Sequence, residues 1–420
     1  MATRRAGYSS GPTSLHEEER LSGEYADWSN LVLGTAWLTG ELDIAAVREA
    51  WRRVCLRHDV MRRTYAGVDE ARTYADPLSD VEFHVRETDA EAIELMRATL
   101  GVPFSLFGMG FSRIAIVRTG EHRHLVGIAF DHIITDELSW SLLMTDFTEF
   151  YRRAREAGVG AVAQARSYHD FAVLQRRELG GEWGRRRREF WRSYTTEFGT
   201  SPPGFSTRAS SVAPPVKKVL RQDLPADTKE RVADFARRAR VTPFAVTASS
   251  VLAAMRELAG DTSVGLFTGW SSRTLPGTSR TVGLLVHNAP LHLSRRTADP
   301  LEVVREVFRR SIDLSEYGLP LVGAGRLWGE ELMSPGAKAG VHLFFYDGTA
   351  VPKVRALAGT STEPVLLEVP GSPRIWEDTI SVDCQVGEKD PRMVAVYNEN
   401  LFPGDLVEQL LRVAARFVLS

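Results

Sequence analysis

The stretch AFDHIITDELSW, Ala129–Trp140, joins an apolar run to an amphipathic segment. The apolar run before it, Leu125–Phe130, predicts a buried central strand, because such strands carry apolar residues on both faces. The segment after it, Asp136–Arg153, has apolar residues at helical spacing and arginines at its C-terminal end, which predicts a helix. The stretch therefore predicts a strand-to-helix turn at which one imidazole, His132, stands among three carboxylates.

Strand and helix patterns continue on both sides of this turn, and both halves of the chain mix them. Helical spacing marks residues 42–59, 242–260, 298–313 and 403–418, and strand patterns mark 111–119, 263–270, 282–293, 341–347 and 393–400. This order predicts an α+β fold with mixed sheets and flanking helices. Residues 199–216 are rich in Ser, Pro and Gly and predict a linker, so we expect one domain at 1–198 and another at 217–420.

Composition narrows the class of protein. The chain has 420 residues, 43% of them hydrophobic and 25% charged, with a formal net charge of −2 and two cysteines. These values exclude a disulfide framework or a Cys-rich zinc site and give no field that would attract nucleic acid. The N-terminus lacks a secretory pattern, and no apolar run reaches membrane-spanning length. We expect a cytoplasmic protein that binds no metal, nucleic acid or membrane.

Five blocks of the sequence, in the right order, resemble the condensation-domain superfamily of nonribosomal peptide synthesis. The residues at 131–137, DHIITDE, are similar to its His-His-x-x-x-Asp-Gly signature. The other four blocks are RHDVMRRTY at 57–65, PFSLFGMGFSRIAI from residue 103, VTPFAVTASSVLAAM from residue 241, and VGLLVHNAPLHL at 282–293. The resemblance implies two chloramphenicol-acetyltransferase-like subdomains arranged as a V around a central tunnel.

The same resemblance implies an activity and its partners. We expect a stand-alone, monomeric condensation enzyme that joins an acyl or aminoacyl thioester to an amine or hydroxyl acceptor. A peptidyl or acyl carrier protein would present the thioester on its phosphopantetheine arm, and no intrinsic cofactor is implied.

The resemblance also assigns roles to seven residues of the chain. It implies that His132 is the catalytic residue and that Asp136 pairs with Arg62 to hold the loop. Ser139 and Asn288 would line the tunnel, while Asp131 and Glu137 belong to the motif. For Asp136 the alternative is a helix N-cap with a surface ion, and for His132 it is a structural turn histidine.

Two departures from the signature leave other functions open. Asp131 stands where the family has a first His, and Glu137 where it has Gly. An altered motif is compatible with a module that recruits a partner enzyme without forming bonds. Asp131, Asp136 and Ser139 also fit the Asp-x-x-x-x-Asp-x-x-Ser pattern of heterocyclization domains, and transfer from coenzyme A is a weaker alternative.

Charged and imidazole side chains outside the motif have simpler interpretations. The arginines at 185–188 form either a solvated helix face, which we favour, or a cationic surface for a carrier protein. His287 and His292 have no metal-ligand spacing, and we expect ordinary structural roles for both.

Overall fold

The computed structural model describes residues 7–22, 30–156, 160–200, 205, 214–260, 263–294, 299–333, 340–347, 354–369 and 377–419. Its helices are α1 (Leu15–Ser22), α2 (Ile44–Arg57), α3 (Asp89–Leu100), α4 (Glu137–Arg155), α5 (Tyr168–Leu179), α6 (Glu182–Phe198), α7 (Thr228–Ala239), α8 (Pro243–Ala259), α9 (Pro300–Tyr317), α10 (Leu321–Trp328) and α11 (Gly404–Leu419). Short 3-10 helices occupy Asp59–Arg62 and His132–Ile134.

The strands divide between three sheets. In chain order they are β1 (Tyr8–Pro12), β2 (Leu31–Gly40), β3 (Arg63–Tyr65), β4 (Glu70–Tyr74), β5 (Val81–Val85), β6 (Ser112–Gly120), β7 (Arg123–Asp131), β8 (Lys217–Asp223), β9 (Val264–Ser271), β10 (Val286–Leu293), β11 (Val341–Tyr346), β12 (Thr360–Val365), β13 (Ile380–Gln385) and β14 (Arg392–Asn398). The described chain is therefore α+β, as the sequence predicts.

The chain forms two compact units, and neither is continuous in sequence. The first unit comprises Met1–Gly181, Arg273–Leu285 and Val351–Pro373, and the second comprises Glu182–Ser272, Val286–Ala350 and Arg374–Ser420. This division differs from the uninterrupted halves expected at 1–198 and 217–420, because two later segments return to the first unit. Most of the expected linker at 199–216 lies outside the described residues.

The first unit is built on a five-stranded sheet in the order β12-β2-β7-β6-β5. Its central strand β7 runs antiparallel to β2 and β6, while β5 is parallel to β6. Every residue of β7 after Arg123 is buried, which confirms the predicted central strand. A separate sheet has the order β1-β4-β3. The order places the C-terminal end of β7, and hence His132, in the middle of the larger sheet.

The second unit is built on a six-stranded sheet in the order β10-β9-β11-β13-β14-β8. Strand β11 is parallel to both of its neighbours, and the other pairs are antiparallel, so the sheet is mixed as predicted. Helices α8 and α11 pack together and against the sheet. Strand β10 begins at Val286, four residues later than the strand predicted at 282–293, because Val282–Leu285 belongs to the first unit.

Short polar residues set the helix starts that position these layers. Asp43 accepts a hydrogen bond from the Ala46 amide at the start of α2, and Thr88 and Glu91 form a capping box on α3. Helix α8 begins with Pro243 after the cap Thr242 and ends at Gly260, whose φ is 80°. In the part of the chain that the structure describes, no helix combines the length and apolarity needed to cross a bilayer.

Candidate functional site

His132 is the first residue of the 3-10 turn that links β7 to α4. Its amide donates to the Asn30 carbonyl at 2.8 Å, and its own carbonyl accepts from the Thr135 amide at 3.2 Å. The side chain is half-buried, and within the described chain its Nδ1 atom is buried without a hydrogen-bond partner. The backbone of His132 is therefore fixed, while Nδ1 is not committed to a described protein group.

Asp131 is fully buried and its carboxylate is engaged by the turn itself. Its side chain accepts from the Ile133 amide at 2.9 Å and from Nη2 of Arg20 at 3.3 Å. Burial raises the pKa of the Asp131 carboxyl, and the Arg20 guanidinium opposes that rise. Asp131 thus caps the turn that carries the imidazole.

Asp136 caps α4, as expected of an Asp at this position, and its carboxylate is also buried in an ion pair. Oδ1 accepts from the Ser139 amide at 2.9 Å and from Nη2 of Arg273 at 2.8 Å. Oδ2 accepts from Nη1 of Arg273 at 2.7 Å and from the Leu285 amide at 3.0 Å. Two parallel N–H···O bonds of this kind are the strong, geometrically specific form of an arginine–carboxylate pair.

The expected pairing of Asp136 with Arg62 is wrong. Arg62 lies after α2, and its Nε donates to the Cys55 carbonyl at 2.9 Å. The two Nη atoms of its guanidinium donate to the carbonyls of Leu56, Tyr74 and Ala75. The last carbonyls of a helix have no intrahelical partner, so a nearby arginine is drawn to them. The true partner, Arg273, follows the end of β9 by two residues, and no local pattern in the sequence links it to Asp136.

Ser139 connects the start of α4 to the same returning segment. Its hydroxyl donates to the Gly283 carbonyl at 2.8 Å and accepts from the Gly283 amide and from Arg273, both at 3.0 Å. Tyr168 holds the segment from another side by donating its hydroxyl to the Leu284 carbonyl at 2.7 Å. Segment Arg273–Leu285 is thus bound to the start of α4 by both side-chain and backbone groups, which no local pattern predicts.

Two further motif residues are exposed. Glu137 is the first residue of α4, where a carboxylate interacts favourably with the helix dipole, and its side chain is exposed. Asn288 lies in the second unit, exposed on strand β10 opposite Gly269 of β9. The tunnel-lining role of Asn288 stays a prediction.

His287 and His292 are buried and hydrogen-bonded. His287 Nδ1 lies 2.9 Å from the Ser272 hydroxyl, and His292 Nδ1 lies 3.0 Å from the Tyr194 hydroxyl. Burial lowers the pKa of each imidazole to about 3, so both are neutral at physiological pH. Among the described residues there is no group of three or more His, Cys, Asp or Glu side chains arranged to hold a metal ion.

The arginine run at 185–188 is largely matched by acids and packing within the second unit. Arg185 pairs with Glu182 and Glu189 on its own helix, and Arg188 pairs with Glu330. Arg187 packs over the Trp183 ring, 3.5 Å from the ring centroid. This arrangement favours a structural helix over a free cationic docking face.

Comparison with known proteins identifies the family of the chain. The family model described as Condensation domain matches residues 31–327. The chain belongs to the condensation-domain family. A linear gramicidin synthase from Brevibacillus parabrevis is 25% identical over 300 residues, which are 66% of this chain and 4% of that protein. Cyclosporin synthetase simA from Tolypocladium inflatum is 28% identical over 335 residues, 73% of this chain and 2% of that synthetase. This condensation domain thus spans a few per cent of these relatives.

Solved structures share the fold of this condensation domain at low sequence identity. SgcC5 from Streptomyces globisporus matches with a TM-score of 0.75 and 18% identity, over 97% of this chain and 99% of that one. The complex of the X-domain and OxyB from teicoplanin biosynthesis matches with a TM-score of 0.76 and 17% identity, over 100% of this chain and 93% of that one. VibH, an NRPS condensation enzyme, matches with a TM-score of 0.75 and 14% identity, over 97% of this chain and 95% of that one. These matches confirm the chloramphenicol-acetyltransferase-like fold.

Proposed function

We propose that this condensation domain joins an acyl or aminoacyl thioester, carried on the phosphopantetheine of a carrier protein, to an amine or hydroxyl acceptor, with His132 as the general base. The observation that carries the proposal is the hydrogen bonding of His132. Its backbone is fixed by two hydrogen bonds, and its buried Nδ1 has no partner in the described chain.

The chemistry needs one proton acceptor at the attacking atom. The acceptor nitrogen or oxygen attacks the thioester carbonyl carbon, its proton passes to the imidazole, and the carbon–sulfur bond breaks. The imidazolium then returns the proton to the leaving thiolate, so the base is regenerated. Imidazole titrates near neutrality, and such acid–base help is worth roughly 10²–10⁴ in rate. Holding the two reactants together supplies a further part of the acceleration.

The contacts of the other motif residues support condensation over heterocyclization. Asp131 is bonded to the Ile133 amide and Arg20, and Asp136 and Ser139 are bonded to the Arg273–Leu285 segment. Each of these three side chains is therefore used in holding the turn. They act as positioning residues for His132 and not as acids or bases toward substrate.

An allelic replacement in the producing host tests the role of His132. Strains carrying a deletion, His132→Ala, or His122→Ala would be compared with wild type by mass spectrometry of their metabolites. His122 is an exposed histidine on the β6–β7 turn and serves as the matched control. We expect the deletion and His132→Ala to lose one compound and accumulate its unjoined halves, while His122→Ala produces as wild type does. Undiminished product in the His132→Ala strain would contradict the role of His132.

Recruitment of a partner enzyme is the second candidate function. Glu137 replaces the Gly of the family signature with an exposed carboxylate, and a fold neighbour was solved as a complex between an X-domain and OxyB. In this case His132→Ala would keep full production and deletion would abolish it.

A further inference from the structure

The six-stranded sheet of the second unit has two chemically different faces. Alternate residues of its central strands, among them Leu343, Val382 and Met393, are fully buried apolar side chains on the face that packs against α8 and α11. The intervening residues form the opposite face and are mostly half-buried. The strand register places on this second face His342 and Phe344 of β11, Ser381, Asp383 and Gln385 of β13, and Arg392 and Val394 of β14. We call this set the polar sheet face.

Asp383 is a carboxylate on the polar sheet face that has no counter-ion in the described chain. No hydrogen bond or ion pair reaches it from the described residues, and burial alone raises the pKa of its carboxyl to about 6. Arg392, a cation of the same face, donates Nε to Gln385 at 2.9 Å. Burying an unpaired carboxylate costs free energy, so a positively charged ligand bound next to Asp383 would be stabilised.

His342 adds a second unsatisfied group on the same face, opposite Ser381 in the strand register. Its side chain is 5% exposed, and neither ring nitrogen has a hydrogen-bond partner within the described chain. Burial lowers the pKa of this imidazole to about 4, which leaves it neutral and able to accept a hydrogen bond. The centroid of its ring lies 4.4 Å from the centroid of the Phe344 ring, and Phe344 is directly opposite Asp383 in the strand register.

A carboxylate, a neutral imidazole and an aromatic ring together favour an organic cation. The carboxylate neutralises the charge, the imidazole accepts an N–H, and an aromatic face attracts a cation within about 6 Å. A metal ion would need more ligands than this imidazole and carboxylate provide, and no such group of three exists among the described residues. The arrangement is therefore better matched to an ammonium group than to a metal.

We propose that the polar sheet face binds an organic ammonium group, with Asp383 as its counter-ion and His342 as a hydrogen-bond acceptor. The proposal does not depend on the proposed function, because the residues that carry it all lie in the second unit.

Calorimetric titration of the whole protein with 2-phenylethylamine tests the site, with 2-phenylethanol as the uncharged probe. We expect saturable amine binding that is at least about tenfold weaker in Asp383→Asn and unchanged in Asp390→Asn, an exposed acid close in sequence. His342→Leu should also weaken the amine, and the alcohol should show no dependence on Asp383. Equal amine affinity in wild type and Asp383→Asn, no saturable amine binding, or Asp383-dependent binding of Zn²⁺ in its place would each overturn the proposal.

Asp383→Asn keeps the side-chain shape, and a circular-dichroism melt identifies a variant that fails to fold. Asp383→Ser then takes its place.

The same titration on His132→Ala separates this proposal from the proposed function. Amine affinity within about twofold of wild type, together with lost product, supports both. Unchanged affinity with full product in His132→Ala leaves the ammonium site standing and removes the catalytic role of His132. Loss of the Asp383 dependence with His132 still essential removes the ammonium site alone.

Discussion

At the scale of single residues, the carboxylate of Asp136 decides the geometry of the motif. It accepts four hydrogen bonds, two of them from Arg273, and both partners are almost fully buried. Breaking a buried pair by removing one partner costs about 3–5 kcal/mol, because the other charge is left uncompensated. Asp136 should therefore matter to folding as well as to the proposed catalysis.

A pair of double-mutant cycles would check which arginine is coupled to Asp136. In urea unfolding, Asp136→Asn and Arg273→Gln should each destabilise the protein, with a coupling free energy of about 1–3 kcal/mol between them. The matched cycle of Asp136→Asn with Arg62→Gln should be additive to within about 0.5 kcal/mol, since these two side chains share no partner. A larger coupling to Arg62 than to Arg273 would restore the pairing expected from the sequence.

At the scale of elements, the returning segment Arg273–Leu285 leaves no room at Gly283. The φ of Gly283 is +152°, and a Cβ built there would lie 2.0 Å from Cδ2 of the Tyr168 ring. Tyr168 is fully buried and donates to the next residue of the segment, so the ring cannot turn aside. The segment and α5 are therefore fitted to each other at this contact.

Gly283→Ala should weaken this fit by overpacking it. We expect a loss of about 1–3 kcal/mol in the free energy of unfolding, together with reduced product formation, because Ser139 is bonded to the same residue. Gly160→Ala is the control, since a Cβ there meets nothing within 4 Å. Its stability should stay within about 0.5 kcal/mol of wild type. Equal stability of the two variants would show that the segment shifts at Gly283 to make room for a methyl group.

Local pattern predicted helices α2, α4, α8, α9 and α11 and strands β6, β7, β9, β10, β11 and β14, but not the inner strands β2 and β13 or the returning segments. The helical face predicted in α2 holds for Ala46, Val47, Ala50, Trp51, Val54 and Cys55, all of them buried. In α4, by contrast, Leu138 is one of the apolar residues at helical spacing in Asp136–Arg153, yet its side chain is 44% exposed. Strand β12, with the sequence TSTEPV, has no apolar alternation and forms by pairing with β2, far away in the chain. Local periodicity carries no information about such a partner, nor about Arg273.

At the scale of the whole molecule, the first unit depends on residues from late in the chain. Strand β12 covers the edge of β2, and Arg273 neutralises Asp136. A fragment of residues 1–198, cut at the boundary expected from the sequence, lacks both. We expect this fragment to be insoluble or to lack a cooperative urea transition, and co-expression with residues 199–420 to recover soluble protein. A cooperative transition in the fragment alone would show that the returning segments are dispensable.

The late arrival of β12 also has a consequence for the order of synthesis. Ribosomes add about 5–20 residues per second, so roughly 10–40 s separate the emergence of residue 181 from that of residue 365. For that interval β2 is an open sheet edge, with a row of unpaired amides and carbonyls. Translation is therefore the stage at which this protein is most exposed to strand pairing with a neighbouring nascent chain, and slow codons between these two positions would lengthen the exposure.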